Sequence, residues 1–82
     1  MYKLAIIDDE YSTRKGLRDI VDWALLDIEI IGEAEDGREG IALIERTAPD
    51  IIICDVRMPR LDGIALVSQI RPAFPDLQVI FL

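Results

Sequence analysis

Short apolar runs punctuate the chain at similar intervals: KLAII at residues 3–7, IEIIGEA at 28–34, IIIC at 51–54 and VIFL at 79–82. They are largely β-branched and near-continuous rather than alternating, the pattern of strands covered on both faces. The segments between them have helical spacing. Leu17, Ile20, Val21 and Ala24 fall on one stripe, with Ser12 or Thr13 placed to cap its start. Ile41, Ile44 and Ala48 make a second stripe, stopped by Pro49. Ile64, Val67 and Ile70 make a third, with Asp62 as N-cap and Pro72 and Pro75 beyond its end. The order is β-α-β-α-β-α-β. Such alternation implies right-handed crossovers and a parallel sheet. The last run is a strand with no helix after it, so one face of the sheet is expected to be thinly covered.

Size and charge narrow the possibilities. With 82 residues the chain holds at most one domain. Hydrophobic residues at 51% and charged residues at 30% are a globular composition, not a disordered one. A core this small is marginal, yet one cysteine and no histidine leave no disulfide or structural zinc within the chain. The lone Cys54 fits a reducing compartment, and a cytoplasmic location is expected. No signal peptide is visible, because Lys3 and the acidic DDE flank a short apolar run. No apolar run approaches the length of a membrane span. The net charge of -7 repels phosphate backbones and argues against direct nucleic-acid binding.

The carboxylates change the picture. Asp8 and Asp9 follow the first strand directly, and Asp55 follows the third. In open α/β sheets, ligands bind beyond the carboxyl ends of the strands, where the strand order reverses. If the first and third strands are neighbours, as in the order 2-1-3-4, the acids of both meet in one crevice. An Asp after a strand is often only a turn former or a helix cap. Two strands ending in acids where topology places a site say more than either alone. Crowded carboxylates repel, and their pKa values rise unless a cation joins them. An all-oxygen site suits a hard cation, and Mg2+ is the natural choice. A carboxylate beside such an ion can act as nucleophile toward phosphorus.

LAIIDDE followed by IIICDVRMPRLDG resembles the receiver domain of bacterial two-component response regulators. IVDWALLDIEIIGEAEDGREGIALIE further resembles the subgroup whose receiver precedes an AraC-type helix-turn-helix output domain. The resemblance implies a three-layer α/β fold, a doubly wound parallel sheet of the flavodoxin-like or CheY-like type, with strand order 2-1-3-4. Residues 1–82 would be the N-terminal part of one receiver domain, lacking the last strand and the last two helices. Asp55 would accept phosphate from a sensor histidine kinase. Asp9 would bind Mg2+ directly, Asp8 directly or through water, and the backbone carbonyl of Arg57 would complete the protein's share of the shell. Pro59 and Gly63 would shape the loop beside Asp55, and Glu10 would be a loop charge rather than a ligand. The hydroxyl residue and the lysine that complete the family's switch would lie beyond Leu82. Such a receiver catalyses its own phosphorylation but is not a metabolic enzyme. Any DNA contact would belong to a separate domain of the parent protein.

Other residues have plainer readings. Trp23 reads as a packing or boundary residue, Cys54 as a small buried hydrophobe, and Asp36-Gly37 as the turn between the second strand and second helix, with a role near the pocket mouth as the secondary reading. Arg14, Lys15 and Arg18 form a basic cluster, read as a solvated helix face with kinase docking as the alternative. The truncated end would leave the first and third strands short of a covering helix and the fourth strand as an edge, favouring a homo-oligomer. Two function classes stay open: a phospho-accepting switch, and a receiver-fold interaction module that no longer responds to phosphate. An aspartate-nucleophile phosphatase would need an acid where Arg57 stands. A Toprim-like metal-dependent nucleic-acid enzyme would need a further acid pair and a basic surface, which the net charge disfavours.

Overall fold

A computed structural model describes residues 1–82. Four strands, β1 (Tyr2–Ile7), β2 (Ile28–Ala34), β3 (Ile51–Cys54) and β4 (Gln78–Phe81), alternate with three helices, α1 (Tyr11–Ile20), α2 (Gly37–Thr47) and α3 (Gly63–Ile70). All pairings are parallel and the order is β2-β1-β3-β4. The expected topology is therefore the observed one, with strand boundaries displaced by a residue at most at β1 and β4. A bulge between Leu4 and Ala5 lets β2 carry one extra residue against β1.

The continuous apolar runs are explained by two-sided burial. On β1, Leu4, Ala5, Ile6 and Ile7 are all buried. Ala5 and Ile7 join Ile52 and Cys54 in a cluster closed by Leu43 and Ile44 of α2 and Leu66 and Ile70 of α3. Leu4, Ile6 and Ile53 face the other way, toward Leu17 of α1, Trp23 and Ile51. Trp23 is a packing residue as expected, and its indole N–H donates to the Leu17 carbonyl at 3.0 Å.

The helix faces hold in part, since Leu17, Ile41, Ile44, Val67 and Ile70 pack on the core, and need correction elsewhere. The first stripe breaks because α1 ends at Ile20; Val21 is already extended, and Ala24–Leu26 form a separate 3-10 turn. Ile20 is consequently 84% exposed. Ser12 and Thr13 lie inside α1, and Glu10 stands at its N-cap position without a side-chain cap. In α2 the buried face is Gly40, Leu43 and Ile44, whereas Ala48 is an exposed left-handed C-cap. In α3 it is Gly63, Leu66 and Ile70, and Ile64 is exposed. Both apolar-rich helices offer more apolar positions than one face holds, so periodicity alone leaves the rotation ambiguous by about one residue, or 100°. Asp62 does cap α3, accepting the Ala65 N–H at 2.8 Å.

The exposure expected over the first and third strands falls mainly on β4. Leu4, Ile6 and Ile53 stay buried, while Ile80, Phe81 and Leu82 are 51%, 41% and 55% exposed. β4, like β2, has one strand neighbour and is an edge of the sheet.

Candidate metal centre

Strand register builds the site. Ile7 and Cys54, the last residues of β1 and β3, are paired. The next residues are therefore brought side by side, and the Asp55 N–H donates to the Ile7 carbonyl at 2.9 Å. Asp8 is anchored toward β2 by its N–H, which donates to Ala34 O at 3.0 Å. Carboxylate oxygens of Asp8, Asp9 and Asp55 then lie within 4.8 Å of one another. Asp8 is buried, Asp55 half-buried and Asp9 exposed. The three acids named from the sequence do converge.

The cluster is electrostatically costly. Burial raises the Asp8 carboxyl above its ordinary range, and the charges of Asp55 and Asp9 push the same way. The hydrogen bond from the Glu10 N–H at 2.9 Å and the charge of Arg14 oppose them. Three carboxylates, no imidazole and no thiolate among them make a donor set for a hard cation. Mg2+ fits that chemistry, with the buried Asp8 repaid by a neighbouring positive ion.

The loop after β3 is shaped from several sides. The Arg57 N–H donates to Asp55 Oδ1 at 3.3 Å, so the Arg57 backbone lies against the acid while its side chain is exposed. Gly63 donates to the Val56 carbonyl at 2.8 Å. A Cβ at Gly63 would strike the Asp55 carbonyl oxygen, so the close approach of α3 to Asp55 requires glycine. Pro59 accepts from Leu61 N at 2.8 Å and Arg60 sits at φ 71°. The Arg60 guanidinium reaches Asp36 Oδ2 at 2.9 Å, and the other oxygen of Asp36 caps α2 by accepting from Glu39 N at 2.9 Å. Asp36 thus ties the loop to α2. It stands at the turn as read from the sequence, and the tie to Arg60 places it beside the loop that carries Asp55.

Two other readings are settled by burial. Cys54 is fully buried, and its thiol is pushed up to about 12, first by burial and then by the nearby Asp55, Asp8 and Asp62. It is a hydrophobe, not a nucleophile. Arg14 is not part of a solvated basic face. It is 7% exposed, donates from Nη1 to the Asp8 carbonyl at 2.8 Å, and pairs with Glu33 at 2.9 Å. Arg18 holds the second oxygen of Glu33 at 2.7 Å, and Lys15 pairs with Asp19. Sequence reasoning missed Arg14, Glu33 and Arg60 because their partners lie 6, 19 and 24 residues away. The usable signal was Arg14 standing one turn before Leu17, on the side of α1 that faces the sheet.

Residues 4–82 match the family described as the response regulator receiver domain. The chain belongs to that family. It is 41% identical over 80 residues to the transcriptional regulatory protein YhcZ of Bacillus subtilis, covering 98% of this chain and 37% of YhcZ. The REC domain of AraT, a response regulator from Geobacillus stearothermophilus, superposes with a TM-score of 0.94 at 36% identity, over 98% of this chain and 62% of that one. The two-component transcriptional regulator AraC from Clostridium phytofermentans gives 0.90 at 41% identity, over 99% and 65%. The chain therefore spans little more than a third of YhcZ and less than two thirds of these two solved chains. These neighbours agree with the subgroup expected from the IVDWALLDIEIIGEAEDG stretch. The chain is a receiver module of a two-component response regulator, a signalling part rather than a metabolic enzyme. No helix is long and apolar enough to cross a membrane.

Proposed function

We propose that this receiver accepts phosphate on Asp55 from the phosphohistidine of a sensor histidine kinase, with Mg2+ at the acidic cluster. The observation that carries the reading is the convergence of three carboxylates within 4.8 Å at the ends of two adjacent strands. Asp8, Asp9 and Asp55 would hold the ion, joined by the backbone carbonyl of Arg57. When bound, Mg2+ neutralises charge on the phosphoryl oxygens. An Asp55 carboxylate oxygen forms the new O–P bond as the N–P bond of the phosphohistidine breaks, and the electron pair of that bond stays on the departing imidazole. Asp55 suits the role because it is half-buried: fixed by the Ile7 and Arg57 backbone, yet open on one side. Residues 1–82 form the N-terminal part of the receiver, working in the cytoplasm, and any DNA contact belongs to another part of the parent protein.

The exposed apolar residues Ile80 and Phe81 of β4 and Leu82 after it favour a second reading: a receiver-fold module that associates with a second copy through them. Its mark is a dimer in sedimentation that is insensitive to phosphate.

The test is intact mass after treatment of the parent protein with a small phosphodonor and Mg2+. We expect one phosphoryl group on the wild type and none on Asp55→Asn or after chelation. A folded parent that gains none, or an Asp55→Asn variant that signals normally, defeats the proposal.

A further inference from the structure

We infer that Arg14 is a positioning residue for the cation site: it fixes the Asp8 backbone so that the Asp8 carboxylate faces Asp9 and Asp55. The inference rests on the Mg2+ reading given above. Asp8 needs such fixing because it leaves the end of a strand. Its N–H is tied to Ala34 and one carboxylate oxygen to the Glu10 N–H. Its carbonyl is held by Arg14 Nη1 at 2.8 Å, a bond that is itself buried.

The guanidinium is held in turn. Nε donates to Glu33 Oε1 at 2.9 Å, Nη2 lies 3.7 Å from Glu35 Oε1, and the Tyr11 ring centroid is 5.7 Å from its central carbon. Glu33 is locked from its other side by Arg18. A chain of contacts therefore runs from Arg18 through Glu33 and Arg14 to the backbone of a proposed ligand. Only a planar fork serves both ends: a lysine ammonium is a point donor on a flexible stem. Mg2+ demands near-ideal octahedral geometry, so small errors in a ligand's position weaken binding. Outer contacts of this kind are typically worth about 10- to 100-fold in metal affinity.

The sign of the effect separates positioning from simple charge. A cation beside a cation site repels the ion, so removing Arg14 would tighten Mg2+ binding if charge were all that mattered. If positioning dominates, removing it weakens binding.

The experiment is a Mg2+ titration of the full chain, followed by the amide resonances of Asp9 and Asp55. It is run below the unfolding temperature and at one fixed pH for all variants. We expect Arg14→Gln to weaken Mg2+ by about tenfold or more, and Arg14→Lys not to restore it. Should the Arg14 variants fail to fold, Glu33→Ala carries the test, with a weakening of about tenfold. A lower melting temperature alone, the mark of a merely structural role, leaves the dissociation constant of the folded protein where it was. Unchanged or tighter Mg2+ binding in a folded Arg14→Gln, or in Glu33→Ala if that variant must stand in, overturns the inference and leaves the metal reading intact. A wild type that binds no Mg2+ overturns both.

Discussion

The two faces of the sheet are built differently. The face under α2 and α3 is dry: Ala5, Ile7, Ile52 and Cys54 meet Leu43, Ile44, Leu66 and Ile70, all buried. On the face under α1, only Leu4, Ile6 and Ile53 are buried apolar residues, and the one buried side chain of α1 is the charged Arg14. Apolar burial is non-directional and scales with area. A guanidinium bonded to a carboxylate and a carbonyl contributes geometry, while much of its gain is offset by desolvation. Stability is therefore expected to reside under α2 and α3, and the placement of Asp8 in the acidic site to be set from the α1 side.

The largest expected effect tests the first half of that division. Leu66→Ala should cost about 2–5 kcal/mol, enough to unfold a marginal chain. Leu17→Ala, half-buried under α1, should cost clearly less by urea denaturation. Equal losses would erase the distinction between the faces.

Gly63→Ala comes next. The added methyl collides with the Asp55 carbonyl, a backbone atom that cannot swing away. Overpacking should cost about 1–3 kcal/mol, with a disproportionate fall in phosphorylation rate because the shift falls on Asp55. Loss of stability with an unchanged rate in the folded protein would show that α3 does not brace the acid.

The smallest effect is the most diagnostic. The Asp8 carboxyl is raised above 3.8 in the folded chain, mainly by burial. The native state then holds the Asp8 proton more tightly than the unfolded state. Its contribution to stability is full below the unfolded value and is lost as pH rises through the folded one. Asp8→Asn should thus stabilise the metal-free protein at neutral pH while weakening Mg2+ binding. Its advantage should fade as pH falls through the folded pKa. Thermal unfolding across that range checks the sign; an Asp8→Asn protein less stable at neutral pH would contradict it.

Most of this was legible in the residues, for local reasons. The runs at 28–34 and 51–54 are the observed strands, and the acids after the first and third strands are the observed cluster. Helix rotation was legible only in part: Ile44 and Ile70 are buried and Ile41 and Val67 pack against the core, but Ala48 and Ile64 are exposed. Ile64 and Leu66 are equally apolar, yet Leu66 is buried and Ile64 is exposed, with Gly63 brought close to the Asp55 carbonyl on the inward side. The clamps were hidden as well. Arg14, Lys15 and Arg18 look alike in sequence, yet one is buried against Glu33 and the others are exposed.

By itself the sequence determined the strand–helix order, the family and the identity of the three acids, because strand patterning and strand-end chemistry are written in neighbouring residues. Tertiary structure alone decided which side of each helix is dry, that Asp36 holds the loop after Asp55, and that Arg14 grips Asp8. Those outcomes depend on partners from distant segments, and only chain packing chooses which of several similar side chains meets them.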